Sequence, residues 1–301
     1  MAEEGFRFNF GKEEAQQVAE ANGEPEYDAP AAEIVYRPTP GVPFFTEDVP
    51  IEEGLNLLKG TITSDEAAAL MGDTRVASSD LVPGRYEGGF KLWECAADLC
   101  KLLLSRYGVA PGQVLTAAEL ASGLQGKKVL ELGCGHGLPG IVALMCGAEV
   151  HFQDYNAEVL RRLTAPNVIA NMGRLPRSRP RPASRFFSGD WRLVGEHLTG
   201  QGYGGHYDVI LASETIYSVP AQERMLECIK RLLQPPNGVA LIAAKRYYFG
   251  VGGGTKSFRQ LVERDGIFET SVVAEVEDKA SGNVREVILL KFPASIHPYF
   301  L

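Results

Sequence analysis

The sequence predicts an α/β fold whose core is a mainly parallel sheet with helices on both faces. Strand-like apolar runs alternate with helix-like amphipathic segments from about residue 85 to residue 292. A glycine-rich turn, GCGHG, separates the first of these strands from the helix after it. Two long strand-like segments end the domain, and the short polar stretch between them predicts an antiparallel hairpin.

The composition is that of a globular protein. The 301 residues are 45% hydrophobic and 23% charged, which is enough apolar material for a sizeable core. The net charge of −8 argues against unspecific phosphate binding by the whole surface, although a local basic patch remains compatible with it. Five cysteines without a CxxC pair indicate reduced thiols, and no Cys or His cluster has zinc-ligand spacing. No apolar run has the length of a signal peptide or membrane span, so we expect no membrane contact.

Residues 1–80 form an acidic, proline-rich segment ahead of the main domain, which we place at residues 81–301. The prolines and the weak periodicity predict an N-terminal arm that is partly irregular. Within it, Phe6, Phe8 and Phe10 alternate as in a half-buried strand. We interpret them as an edge strand or a docked tail.

The main domain begins with a helix from Trp93 to Leu104, because its apolar side chains fall on one face. The strands of the parallel sheet are predicted at 128–131 and 149–152 and within SRFFSGDW, YDVILASE and GVALIAAK. The helices that follow them are predicted at 138–146, from about 156, at 222–233 and at 257–264. The final strands are 269–277 and 285–292 with a turn at 278–282, so we expect seven strands in all.

The glycine loop limits the choice of ligand. It lacks the Gly-Lys-Ser/Thr of a P-loop, and the third glycine of a dinucleotide fingerprint would fall at Leu138. Its glycines are instead Gly133, Gly135 and Gly137, with Glu131 just before them. A turn without side chains lets a ligand lie against the backbone, where the amides at the start of the helix are free.

Polar residues end the next two strands. Asp154 ends the second strand, where a carboxylate can bind a ribose with both hydroxyls free. Asp190 and Trp191 end the third strand, and they suit the amine and the ring face of adenine. Taken singly, strand-end acids often cap helices and a tryptophan is often core. Together the three strand ends favour S-adenosylmethionine over a phosphorylated nucleotide.

The order VLELGCGHG, HFQDYN, FSGDW and LASETIY, with the final hairpin, resembles the seven-strand class I methyltransferases, whose sheet is Rossmann-like. More narrowly, YEGGFKLWEC, HFQDYN, SETIY, YYFGVGGG and the N-terminal FRFNF resemble the protein-histidine methyltransferases that modify a large-subunit ribosomal protein. The resemblance implies a ribosomal large-subunit protein or a pre-ribosomal particle as substrate. It also implies that the cofactor contacts fall on Leu92, Trp93, Glu94, Cys95, Ala96, Glu131, Gly133, Gly135, Gly137, Gln153, Asp154, Tyr155, Gly189, Asp190, Trp191 and Ser213.

An arginine- and proline-rich insert, GRLPRSRPRPASR at residues 173–185, separates the second and third strands. The segment from Arg174 to Arg185 is a solvated loop, a nuclear-import signal or an RNA contact, and the sequence leaves these alternatives open. The resemblance favours the import signal. We therefore expect a monomer located in the cytoplasm and nucleus, including the nucleolus.

The chemistry of methyl transfer suggests how a histidine site works. Direct displacement requires alignment above all, and about three quarters of an exposed imidazole with a pKa near 6.5 is neutral at pH 7. A histidine site therefore needs an acceptor for the N–H of the ring nitrogen that is not methylated, more than it needs a base. We assign the catalytic roles to Glu214, as that acceptor, and Tyr217, with Tyr217, Tyr248 and Phe249 as aromatic walls for the substrate. The plainer alternative is that Glu214 caps a helix and the aromatic residues belong to the core.

Two other functions fit the same residues. A lysine methyltransferase of this fold carries an acid-x-x-Tyr motif, which Glu214 and Tyr217 satisfy loosely. Lysine would have to lose a proton first, at a cost of about 4.6 kcal/mol at pH 7. A non-catalytic cofactor-binding factor in ribosome assembly is the second alternative.

Overall fold

The computed structural model describes residues 27–38, 44–108, 123–178, 181–248, 250–278 and 283–300. Phe6, Phe8, Phe10, Phe249 and most of the turn predicted at 278–282 lie outside these ranges. The described strands are β1 (Ala32–Glu33), β2 (Thr46–Glu52), β3 (Leu55–Gly60), β4 (Lys128–Leu132), β5 (Glu149–Asp154), β6 (Ser184–Ser188), β7 (Val209–Ser213), β8 (Val239–Lys245), β9 (Glu269–Asp278) and β10 (Asn283–Lys291).

The described helices are α1 (Ser64–Met71), α2 (Glu94–Leu103), α3 (Leu138–Met145), α4, α5 (Trp191–Gly200), α6 (Val219–Leu232) and α7 (Thr255–Asp265). Helix α4 has three consecutive segments, of which the middle one is π-helical: Ala157–Val159, Leu160–Thr164 and Ala165–Gly173. A π-helical turn, Leu104–Gly108, follows α2, and two short 3₁₀ helices are Thr74–Ala77 and Ala294–Phe300.

The main sheet has the order β1-β6-β5-β4-β7-β8-β10-β9. Strands β4 to β8 are parallel, whereas β10 is antiparallel to both β8 and β9. The seven predicted strands and the final hairpin are confirmed. Because the chain moves outward from β4 to β6 and then returns to β7 beside β4, a crevice opens at the carboxyl ends of β4 and β7.

Strand β4 is buried on both faces and divides the core into two layers. Val129 packs with the helices on one face, and Leu130 and Leu132 pack on the other, as the two-residue period of a strand requires. Helix α6 begins three residues earlier than predicted, because Ser218 caps it and a proline lies in its first turn.

The arm is more regular than the sequence predicts. Strands β2 and β3 form an antiparallel hairpin, and a Thr63–Glu66 capping box starts α1. The apolar residues Ile51, Leu55 and Leu57 are almost fully buried in the same core layer as Val129. Burial against the main domain therefore stabilises a segment whose composition suggests little structure. The domain boundary at residue 80 stays a prediction.

The five cysteines are all buried, and no disulfide joins any two of them. Within the part of the chain that the structure describes, no helix is long and apolar enough to cross a membrane. The same described residues contain no group of three His, Cys, Asp or Glu side chains arranged to hold a metal ion.

Candidate functional site

A cleft of about 720 Å³, part of it open to solvent, lies where β4, β5, β6 and β7 end. It brings together most of the residues that the sequence predicts for the cofactor and the reaction. Those that line it are Leu92, Trp93, Ala96, Gly133, Gly135, Asp154, Tyr155, Gly189, Asp190, Trp191, Ser213, Glu214 and Tyr217. Direct cofactor contact by each of them stays a prediction.

The glycine loop opens the cleft because its side chains are missing, and its amides are not free as expected. Gly133 has a φ of 61°, and a Cβ there would lie 2.7 Å from the Thr215 methyl group. Its amide donates to Gln153 Oε1 at 3.0 Å, and that of Gly135 donates to Asp154 Oδ2 at 2.9 Å. Both of these loop amides are therefore occupied, and at the start of the helix the Gly140 amide also donates, to Glu131 Oε2 at 2.9 Å.

Gln153 lies behind the cleft and ties three strand ends together. Its Oε1 accepts hydrogen bonds from the Gly133 amide at 3.0 Å and from Trp191 Nε1 at 2.9 Å. Its Nε2 donates to the Gly189 carbonyl at 2.8 Å. The side chain is fully buried and its bonds fix the loops after β4 and β6 relative to each other. Gln153 is thus placed to position the loops that line the cleft, and its own contact with the cofactor stays a prediction.

Asp154 is the carboxylate in the floor of the cleft. Its Oδ2 accepts from Gly135 and its Oδ1 accepts from the Asn156 amide at 3.0 Å. Burial raises the pKa of Asp154 to about 6, although these backbone hydrogen bonds act in the opposite direction. The group can therefore be ionised at neutral pH and accept hydrogen bonds from ribose hydroxyls.

This pKa predicts a pH dependence of cofactor binding. The affinity for S-adenosylhomocysteine, the demethylated cofactor, is expected to fall about tenfold between pH 7 and pH 5, because protonation removes the acceptor for the ribose. Isothermal titration calorimetry across this range measures the effect. Asp154→Asn is the control, with an affinity that is weaker than wild type at pH 7 and independent of pH.

A wild-type affinity that stays constant from pH 7 to pH 5 would contradict the role given to Asp154. The same raised pKa has the opposite effect on the ligand-free fold. A carboxyl that binds its proton more tightly when folded contributes stability below about pH 4, and this contribution is lost as the pH rises through about 6.

Asp190 and Trp191 combine the two roles that the sequence leaves open. Asp190 Oδ1 caps α5 by accepting from the Arg192 amide at 2.9 Å, while Oδ2 lies 3.4 Å from Arg224 Nε. Trp191 donates its indole N–H to Gln153 and also lines the cleft. The helix cap is therefore present, and both side chains still face the space where adenine is predicted.

Four further predicted cofactor residues, like Gln153, do not line the cleft, and direct contact between them and the cofactor stays a prediction. Glu94 turns away toward Arg285, at 3.5 Å, and the Cys95 side chain is completely buried. Glu131 accepts from a backbone amide at the start of α3, and burial raises its pKa to about 8. Gly137 is the N-cap of α3 with a φ of 73°. They support the cleft from behind.

Two buried asparagines of α4 join the arm hairpin to the glycine loop. Asn167 Oδ1 accepts from the Gly60 amide at 2.6 Å, and its Nδ2 donates to the His136 carbonyl at 2.9 Å. Asn171 pairs with both backbone groups of Leu58, at 2.8 and 2.7 Å, as a neighbouring strand would. Helix α4 is therefore hydrogen-bonded both to the arm hairpin and to the glycine loop beside the cleft.

A second cavity of about 260 Å³ adjoins the first. The two share Glu87, Gly88, Trp93, Glu214 and Tyr217, and the second adds Asp80 and Leu81. A side chain that enters through the second cavity would reach Glu214 beside the cofactor cleft.

Glu214 has an unusual backbone and an incompletely bonded carboxylate. With a φ of 56°, it is the one non-glycine residue at positive φ among the residues that the structure describes. Tyr248 donates its hydroxyl to Oε2, whereas Oε1 has no hydrogen-bond partner within the described part of the chain. Burial raises the pKa of Glu214, and the nearby Lys245 ammonium opposes this. Strained backbone at a polar, buried position is typical of functional sites.

The aromatic residues differ in their placement. Tyr217 lines both cavities and donates its hydroxyl to Glu87, a residue that sequence reasoning missed although it lies within the YEGGF stretch. Tyr248 is buried behind Glu214 and lines neither cavity, and its expected role as a substrate wall stays a prediction. Phe249 lies outside the described residues, and its role stays a prediction.

The sheet order and the cleft define a class I methyltransferase. The glycines that keep the cleft open, a buried carboxylate and a tryptophan suit the nucleoside of S-adenosylmethionine. The family model described as Methyltransferase domain matches residues 110–272. Because this is more than half of the chain, the protein belongs to that methyltransferase family. The predicted fold is confirmed, and S-adenosylmethionine is the cofactor.

Relatives and solved structures agree. The Histidine protein methyltransferase 1 homolog of Dictyostelium discoideum is 42% identical over 210 residues, which cover 70% of this chain and 60% of that protein. The protein of the same name from Bos taurus is 41% identical over 222 residues, which cover 66% and 55%. This chain thus spans little more than half the length of the curated relatives it matches. The structure of T. Thermophilus 16S rRNA N2 G1207 methyltransferase (RsmC) shares the fold, with a TM-score of 0.51 at 15% identity over 95% of this chain and 63% of that chain.

Proposed function

We propose that this protein is an S-adenosylmethionine-dependent protein-histidine N-methyltransferase whose acceptor is a histidine of a ribosomal large-subunit protein. The names of its relatives support histidine as the acceptor. The observation that carries the proposal concerns Glu214, which lines both the cofactor cleft and the second cavity and whose Oε1 has no hydrogen-bond partner among the described residues. The family resemblance of the sequence motifs supports the ribosomal substrate.

Glu214 is suited to orient an imidazole. Its Oε1 can accept the N–H of one ring nitrogen, which fixes the tautomer and leaves the lone pair of the other nitrogen available. Tyr248 holds Oε2, so the carboxylate cannot turn freely. Bound S-adenosylmethionine supplies an electrophilic methyl group. The carboxylate also stabilises the positive charge that the imidazole acquires when it is methylated.

Tyr217 forms a wall beside this carboxylate. Because its hydroxyl donates to Glu87, the ring is held in one orientation, and its oxygen can only accept a further hydrogen bond. Trp93 also lines the second cavity, and its indole N–H donates to the Gly88 carbonyl at 3.1 Å. The two aromatic rings offer apolar faces to a planar acceptor, which suits imidazole better than a long aliphatic amine.

The basic insert supplies a second contact in this proposal. Arg177 and Arg181 are exposed and available to RNA or an import receptor. Arg185 is not available in the same way, since it forms an ion pair with Glu33 at 2.7 Å and donates to Tyr203. We therefore assign the contact to the middle of the segment between Arg174 and Arg185. In this proposal the enzyme acts as a monomer in the cytoplasm and nucleus, including the nucleolus.

Mass spectrometry of large-subunit ribosomal proteins tests the proposal, after incubation with the enzyme and methyl-labelled cofactor and beside an Asp154→Ala control. We expect the label on one histidine, and its loss in the control. Label on lysine would overturn the acceptor while preserving the methyltransferase class. No label, with S-adenosylhomocysteine still bound in a titration, would favour the non-catalytic assembly factor.

A further inference from the structure

The arm reaches the cofactor cleft along the edge of the main sheet. Strand β1 pairs antiparallel with β6, with Ala32 opposite Ser188. The Glu33 carboxylate forms a two-bond ion pair with Arg185, at 2.8 and 2.7 Å, and the Ile34 side chain is buried in the core. Backbone pairing, charge and apolar burial therefore hold this part of the arm in a fixed register on β6.

The same segment continues past the end of β6 and contacts the turn that carries Asp190. The Asp190 amide donates to the Ala29 carbonyl at 2.9 Å. A Cβ on Gly189 would lie 2.6 Å from the Pro30 carbonyl oxygen, so only glycine permits this approach. The backbone of one side of the cleft is therefore bonded to the arm.

Tyr27 completes this wall. Its ring lines the cleft, and the Arg224 guanidinium of α6 lies 3.5 Å from the ring centroid. The Tyr155 ring stands edge-on at 6.1 Å. Arg224 also lines the cleft, and its Nε has no hydrogen-bond partner among the described residues although Asp190 Oδ2 is 3.4 Å away. Tyr27 thus lies between the residues that end β5 and those that end β6.

We infer that the arm segment 27–34 is part of the cofactor site, with Tyr27 and Arg224 as binding residues at its nucleoside end. The stacked ring and guanidinium exclude water from the end of the cleft where Asp154 and Asp190 lie, and they add apolar contact area for the ligand. The arm also holds the Asp190 turn in place. This inference concerns cofactor binding and is independent of the acceptor.

Calorimetric titration with S-adenosylhomocysteine tests it. Tyr27→Ala and Arg224→Ala are each expected to weaken the Kd about tenfold or more, as the loss of an aromatic or stacked cationic contact predicts. Tyr27→Phe keeps the ring and should therefore weaken the Kd much less than Tyr27→Ala does. Tyr36→Ala is the matched control, since Tyr36 belongs to the same arm but packs against the core and does not line the cleft. Thermal unfolding without ligand checks that all variants are folded.

An unchanged Kd for folded Tyr27→Ala would overturn the inference, and so would an equal loss of affinity in Tyr36→Ala. Hydrogen exchange provides a second readout. The Ile34 amide, which donates to the Phe186 carbonyl at 2.8 Å, should exchange more slowly when S-adenosylhomocysteine is bound, because coupling between ligand and arm is reciprocal. Ligand protection of the glycine loop without protection of Ile34 would also overturn it.

Discussion

Replacement of Glu214 by glutamine is expected to lower kcat for histidine methylation about 10²- to 10³-fold while leaving the affinity for S-adenosylhomocysteine unchanged. Glutamine keeps the shape and one oxygen, but it removes the charge that stabilises the developing imidazolium. A loss of this size is typical when one preorganised electrostatic contact to a transition state is removed. Single-turnover measurements with the substrate protein give kcat, and calorimetry gives the affinity.

One further variant separates the effect of the Glu214 carboxylate from that of its strained backbone, and a second serves as a control. Glu214→Gly should relieve a strain of about 1 kcal/mol at the positive φ, and yet be as inactive as the glutamine variant. Glu227→Gln changes an exposed glutamate, which pairs with Lys230, and should have wild-type activity. If Glu214→Gln methylates histidine at the wild-type rate, the assignment of Glu214 as the imidazole acceptor is wrong.

Replacement of Asn167 by alanine is expected to lower the free energy of unfolding by about 2–4 kcal/mol, since it leaves two buried backbone groups without partners. These are the Gly60 amide of the arm hairpin and the His136 carbonyl of the glycine loop. The affinity for S-adenosylhomocysteine should fall as well, because the loop loses an anchor. Urea unfolding measures the first effect, and calorimetry measures the second.

Asn167→Asp tests the two hydrogen bonds of this side chain separately. It keeps an acceptor for Gly60 but removes the N–H that His136 needs, so the loop should be affected more than the arm hairpin. Substitution at the exposed Ile169 on the same helix, Ile169→Ala, should alter neither quantity measurably. Wild-type stability in Asn167→Ala would show that the hydrogen bonds across α4 do not join the arm to the loop in solution.

The sequence predicts the parallel sheet well because its strands carry the signal locally. Apolar runs such as 128–132 and 209–213 are buried on both faces, and glycines or acids end them. The strand ends that meet at the crevice could therefore be placed before the structure was known. The π-helical segment of α4 and the hairpin of β2 and β3 could not, since both depend on packing against distant residues.

The residues of the site likewise divide into those that local sequence signals place and those that only the folded chain brings together. Asp154, Trp191 and Glu214 lie at or close to the carboxyl ends of β5, β6 and β7, so their positions in the cleft follow from sheet topology. Tyr27 and Arg224 come from the arm and from the interior of α6, and only the folded chain brings them together. Gln153 illustrates a different limit, because the sequence does not reveal that its side chain bonds the loops after β4 and β6 to each other.

Strand β1 also affects how the protein behaves at high concentration. Without it, β6 would be an outer strand with a row of unpaired N–H and C=O groups, which is a template for association with another molecule. The opposite outer strand, β9, carries the glutamates Glu269, Glu275 and Glu277, whose charges discourage such pairing. Two residues of the arm, Ala32 and Glu33, therefore protect the edge of β6 by pairing with it, as the glutamates protect the edge of β9 by their charge. Release of the arm would expose the backbone groups of β6 to pairing with another molecule.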